Sequence, residues 1–173
     1  MKNLIRFFAV LLLFVGYTSC DELDKLTEVD FNTTVTESII ANVDGGEDVL
    51  LNSNVLVNID NPDTHDYLSK ITKVQIISLD YRVVNFVGDN AGIITADLMA
   101  DSAILDTHTG VTVSNVVGVM YSIDDTAALN IIANNLKNGN NVNFAVDGTT
   151  TNEGGMSFEI EITLSLKVTA DAL

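Results

Sequence analysis

Three aspartates crowd one short stretch of this 173-residue chain. They are Asp60, Asp63 and Asp66, with Asn61 among them, in the run NIDNPDTHD. Carboxylates gathered on a loop supply the several hard oxygen ligands that Ca²⁺ takes on a flexible backbone. The spacing does not follow the twelve-residue calcium loop, and the bidentate Glu of that loop is missing. A polar turn whose Asp caps a following helical turn accounts for the same residues. Asp60, Asp63 and Asp66 are therefore a weak calcium candidate, and no metal site is expected. His65 and His108 are the two histidines, each near acids: Asp63 and Asp66 for one, Asp106 for the other. Zinc binding or general-base chemistry needs a convergent set of side chains. Two histidines on separate loops do not make one, and both are read as exposed loop residues. No G-x-S-x-G elbow and no glycine-rich phosphate loop occurs in the chain. Among 24 acidic residues nothing singles out a pair for glycoside hydrolysis. With no Trp and 6% aromatics, ring stacking on a sugar is disfavoured. No catalytic residue and no cofactor is expected, so the chain reads as a non-enzyme.

Cys20 is the one cysteine, so it has no intramolecular disulfide partner. It closes a three-part segment: Lys2 and Arg6, then the apolar run FFAVLLLFV over residues 7–15, then Gly16, Tyr17, Thr18 and Ser19. The run is about half the ~20 residues needed to span a bilayer. A short apolar run behind basic residues is a secretion signal rather than a permanent span. Ser19 and Thr18 before Cys20 resemble the lipobox of bacterial lipoproteins, with Tyr17 where Leu is usual. The resemblance implies cleavage before Cys20 and attachment of a diacylglycerol to its thiol, with acyl chains such as palmitate. Each buried CH₂ contributes roughly 0.8 kcal/mol to membrane attachment. Asp21 and Glu22, followed by Asp24, resemble the export signal of surface-displayed lipoproteins in some Gram-negative lineages. In other lineages an Asp at this position resembles a retention signal. The outer membrane is favoured, with display on its outer face as an extension of that reading.

The formal net charge is −16. Lys2 and Arg6 are the charged residues of the first 19, so the remainder carries six basic and 24 acidic residues, a net of −18. Phosphate backbones and anionic headgroups would be repelled, which argues against a nucleic-acid partner and against membrane attachment through a basic patch.

Alternation dominates the rest of the chain. Phe158, Ile160, Ile162, Leu164, Leu166 and Val168 alternate with Glu159, Glu161, Thr163, Ser165, Lys167 and Thr169. Period two means one face buried and one face wet. Ile77, Leu79, Tyr81 and Val83 behave likewise, as do Ile94, Ala96, Leu98 and Ala100. Val111, Val113, Val117, Val119 and Tyr121 are read as one face of a further strand after Gly110. Val142, Phe144 and Val146 are read as a short strand ahead of an Asp147-Gly148 turn. Residues 29–43 and 49–59 are β-branched and flank Asp44-Gly45-Gly46, a turn signal. One segment breaks the pattern. Residues 125–136 (DTAALNIIANNL) place Ala128, Ile132 and Leu136 at helical spacing, with Asp124 or Asp125 as cap and Lys137 then Gly139 at the end. A weaker helical turn is expected over residues 63–70.

The expected fold is all-β: a two-layer antiparallel β-sandwich of about seven strands with one short amphipathic helix, immunoglobulin-like or related, with a barrel as the alternative. The expected organisation is a lipoprotein signal peptide over 1–19, a lipidated acidic tether over 20–27 and a sandwich domain over 28–173. Asp101-Ser102-Ala103 and Asp125-Thr126-Ala127 resemble an O-glycosylation motif of bacterial surface proteins, which implies Ser102 and Thr126 as weak modification sites. The whole layout resembles small bacterial surface lipoproteins with a β-sandwich body. The resemblance implies a non-catalytic, lipid-anchored envelope protein that serves as a binding, assembly or structural module, with the membrane and an envelope protein as partners. The alternative is an envelope hydrolase with an unrecognised acidic site.

Overall fold

The computed structural model describes residues 27–172. The expected signal peptide, Cys20 and all of the expected tether but Thr27 lie outside the described residues. Among the described residues there are eight strands: β1 Glu28–Val43, β2 Gly46–Val57, β3 Ile71–Gly88, β4 Ile93–Ala100, β5 Ala103–Thr112, β6 Met120–Ser122, β7 Val142–Asn152 and β8 Met156–Asp171. Two helices join them, α1 Val113–Val116 and α2 Thr126–Lys137, and a 3-10 turn covers His65–Lys70.

The strands form two antiparallel four-stranded sheets with orders β1-β8-β3-β6 and β2-β7-β4-β5. The pairs β1·β8, β2·β7, β3·β6 and β4·β5 are the rungs of one long folded-back ribbon. The pairs β8·β3 and β7·β4 are the contacts made when that ribbon rolls up. This is the jelly-roll order, the eight-stranded form of a β-sandwich. In an immunoglobulin sandwich the first two strands share a sheet. Here β1 and β2 lie in opposite sheets, so the immunoglobulin-like expectation is corrected.

The core follows from the alternation. Phe158, Ile162, Leu164, Leu166 and Val168 of β8 are fully buried. They face Ile94, Ala96, Leu98 and Ala100 of β4 and Val142, Phe144 and Val146 of β7, all buried as well. Ile77 departs from the expected face. Ile76 pairs with Leu166 and Ser78 with Ser165, so Ile77 is the extra residue of a β-bulge and stands 57% exposed. On the edge strand β1, Glu37 opposes Ile162 at an inward-facing register yet is exposed. An inward charge on an edge strand hinders pairing with another sheet.

Two further expectations are corrected. The strand placed at residues 111–121 is instead the end of β5, the single turn α1 and the three-residue β6. Val117 and Val119 are exposed because Gly118, at φ 77, turns the chain between α1 and β6. The turn placed at Asp147-Gly148 is strand interior, since β7 continues to Asn152. A Cβ on Gly148 would run into the Thr95 carbonyl oxygen and lie 2.5 Å from Ala96 Cα. The glycine therefore serves a close backbone approach rather than a reversal of the chain.

Helix α2 forms where the helical spacing places it. The Asp125 side chain accepts from the backbone N–H groups of Ala127 and Ala128, which closes its N-terminus. Ala128, Ile132, Ala133 and Leu136 form its buried face. Gly139, at φ 73, ends it. Asp125→Ala is expected to cost about 1 kcal/mol, the usual loss of an N-cap. Urea denaturation midpoints of the two proteins check this.

Candidate functional site

The candidate calcium loop does not converge on a point. Asp60 Oδ1 pairs with His65 Nδ1 at 2.8 Å. Asp63 Oδ2 accepts from Thr33 Oγ1 of β1 at 2.9 Å. Asp66 lies in the first turn of the 3-10 segment. Asn61 is spent on the loop itself. Its Oδ1 accepts from the N–H of Asp63 (2.9 Å) and of Thr64 (3.2 Å), and its Nδ2 donates to Thr33 Oγ1 (3.0 Å). The fully buried Thr64 donates its hydroxyl to the Ile59 carbonyl. The carboxylates therefore pin the loop to β1 and to His65. The hydrogen bond and charge of Asp60, with Asp66 adding to it, hold the His65 imidazole above its ordinary value. Among the described residues no group of three His, Cys, Asp or Glu side chains could hold a metal ion. Melting curves in NaCl, MgCl₂ and CaCl₂ at matched ionic strength are expected to nearly coincide, because screening of the net negative charge is then the shared effect. A calcium-specific rise lost in Asp63→Asn would contradict this.

Ser102 lies in the tight two-residue turn that joins β4 to β5, and Thr126 is the first residue of α2; both are exposed. Asp101, at φ 53, accepts from the Asn143 N–H (3.0 Å) and from Asn135 Nδ2 (3.0 Å). It ties the turn to β7 and α2.

His108 is not a loop residue. It sits in β5, where it pairs with Ala96, while Asp106 pairs with Leu98. Ala96 and Leu98 face the core, and cross-strand partners share a face, so Asp106 and His108 face inward. Opposite them, on β3 of the other sheet, is Tyr81, with its Cα partner Tyr121 on β6. The Tyr81 hydroxyl donates its one proton to Asp106 Oδ2. His108 Nε2, 2.6 Å from the Tyr81 hydroxyl oxygen, is then the donor to that oxygen. Nε2 and Oδ2 are 3.6 Å apart. Tyr121 stacks on Tyr81 with ring centroids 5.1 Å apart and meets His108 edge-on at 5.0 Å. Burial first, then the hydrogen bond and charge of Asp106, hold the Tyr81 hydroxyl far above the ordinary phenol range. It therefore stays protonated and bridges the two sheets at their open edge.

Beneath this cluster lies a hollow of about 30 Å³ lined by Tyr81, His108, Tyr121 and core residues such as Val83, Val111 and Ile160. That volume is the share of one water molecule in the liquid. Sequence reasoning missed Tyr81, Asp106 and Tyr121 as a group. The available signal was Asp106-x-His108, two polar residues at strand spacing within a run of β-formers.

No family model and no curated protein matches the chain. Among solved structures it is similar to a virus-like particle of giant freshwater prawn Macrobrachium rosenbergii nodavirus, with 10% identity and a TM-score of 0.36 over 83% of this chain and 95% of that one. It is also similar to infectious bursal disease virus Gx strain, with 9% identity and a TM-score of 0.27 over 84% of this chain and 37% of that one. At these values neither likeness carries function, and the fold assignment rests on the strand order.

Proposed function

We propose that this chain is a non-catalytic, lipid-anchored protein of the bacterial cell envelope, whose sandwich serves as a binding, assembly or structural module. The filled interior supports the non-catalytic part of this reading. The inward side chains of both sheets meet, and the hollow beneath Tyr81 has room for about one water. A hydrolase with an acidic site needs carboxylates that converge on a cavity admitting a substrate. Asp106 is the carboxylate of the Tyr81 cluster, and the hollow there takes no substrate. Glu47, Asp89 and Glu153 line an open groove of about 590 Å³, where Asp89 is spent on the backbone N–H groups of Ala91 and Glu153. The anchoring part rests on Lys2, Arg6, the apolar run at 7–15 and Cys20 behind Thr18 and Ser19. No helix among the described residues is long and apolar enough to cross a membrane. In this reading the acyl chains on Cys20 supply the attachment, and the outer membrane is the favoured location.

Cys20→Ser is expected to move the protein from the detergent phase to the aqueous phase in phase-partitioning of cell membranes, with the circular dichroism of the sandwich unchanged. Equal partitioning of both proteins would overturn the anchor.

A further inference from the structure

We propose that the free edge of β2 pairs with β2 of a second copy of this chain, antiparallel and about a two-fold axis at Ser53. β2 is the outer strand of its sheet, in the order β2-β7-β4-β5. Among the described residues no strand pairs with its other edge, so every second residue there presents an unpaired N–H and C=O. Residues 49–57 read VLLNSNVLV and contain no charge, no Gly and no Pro. Their pairing with β7 runs without a register shift.

The other edges are guarded. β1 carries the inward Glu37. Register shifts interrupt the pairing of β5 with β4, and β5 holds Asp106 and His108 inward. β6 has three residues. Inward charges, bulges and shortness are the devices that keep a sheet edge from pairing. β2 has none of them over residues 49–57, in a chain of net charge −16.

The order of residues along this edge selects the occupant. VLLNSNVLV reads nearly the same in both directions about Ser53. A two-fold contact needs a surface that complements itself, with residue i meeting j and j meeting i. With Ser53 opposite Ser53 of the second copy, Leu50 stands opposite Leu56, Asn52 opposite Asn54, Leu51 opposite Val55 and Val49 opposite Val57. Leu50 and Leu56 are 80% and 56% exposed. The pairing sets each against the other on the outer face of the sheet, where cross-strand apolar pairs are stabilising. Asn54 Nδ2 is spent on Asn143 Oδ1 at 2.8 Å, which leaves Asn54 Oδ1 to accept from Asn52 of the second copy. Two acidic molecules thus meet along a strand that carries no charge. One strand on another is a contact at the small end of specific interfaces, below about 1,200 Å². The dimer is therefore reversible, and salt that screens the net charge favours it. Pairing uses the β2 edge of both copies, so assembly stops at two.

The test uses the full chain carrying Cys20→Ser, so that neither lipid nor native thiol contributes and the outcome is independent of the anchor. Sedimentation over a concentration series is expected to show a monomer–dimer equilibrium that strengthens with NaCl. Leu50→Lys with Leu56→Lys sets lysine opposite lysine and should weaken the dimer by roughly tenfold or more. Leu50→Lys with Leu56→Glu sets lysine opposite glutamate and should restore it. Both positions are exposed, so circular dichroism should stay native in each variant. Oxidation should cross-link Ser53→Cys into a covalent dimer, because its two Cα atoms then lie about 5 Å apart. It should not cross-link Leu50→Cys, whose two copies lie about 20 Å apart in this register. A monomer at every concentration, a dimer untouched by the two lysines, no rescue by Leu56→Glu, equal cross-linking of Leu50→Cys and Ser53→Cys, or growth past the dimer would each overturn the proposal.

Discussion

Leu164→Ala is expected to cost the domain about 2–5 kcal/mol, the range for deleting a buried leucine side chain and leaving a cavity. Leu164 is fully buried and lies mid-way along β8, paired with Val35 of β1 and Leu79 of β3. Both neighbouring backbones belong to the hydrogen-bonded ladder, so the surroundings have little freedom to collapse into the space. Thr163, one residue earlier, points to the opposite face. Its neighbours are Thr36 and Asp80, and its hydroxyl oxygen is 3.5 Å from that of Thr36. Thr163→Ala is expected to cost less than about 1 kcal/mol, as changes at wet positions do. Urea midpoints measured on the two variants check the pair together. Equal losses would mean that the register of β8 is wrong, because a one-residue slip exchanges the two faces of a strand.

Gly148→Ala is expected to destabilise by about 1–3 kcal/mol through overpacking. The added methyl would meet the Thr95 carbonyl and the Cα and Cβ of Ala96 on β4, with the Cβ at 2.7 Å. These are backbone and near-backbone atoms of a paired strand, and they cannot swing aside as the end of a long side chain can. The expectation is discriminating. In an open turn without positive φ, the same change would be neutral or stabilising, since Ala restricts the unfolded chain more than Gly does. A denaturant midpoint equal to or above that of the parent would therefore show that β7 ends before Gly148.

The same two residues mark how far the sequence could be read. Leu164 was legible because β8 alternates without a break from Phe158 to Val168 and each of those apolar residues is buried. Helix α2 was legible for the same local reason, with Asp125 and Gly139 as its end signals. Gly148 was misread because Asp-Gly is a turn signal in isolation, and the approach of β4 that requires the glycine is made by residues some fifty positions away. Ile77 was misread because a bulge resets the period without any mark in residue type. Edge strand β5 was lost because register shifts interrupt its pairing with β4, and because polar Asp106 and His108 occupy inward positions. The jelly-roll order depends on pairings such as β1 with β8, across most of the chain, which local periodicity does not encode. The Tyr81–Asp106–His108 cluster is a product of that order. Its members are 25 and 27 residues apart in sequence and meet only when the two sheets close.

The proposed anchorage of the sandwich by lipid on Cys20 is tested by the mass of the intact protein extracted from native membranes. The expected result is a chain that begins at Cys20 and carries the added mass of a diacylglycerol, with the fragment ions placing that mass on the first residue. A mature chain that begins at any other residue, or one that begins at Cys20 with no lipid mass, would contradict it.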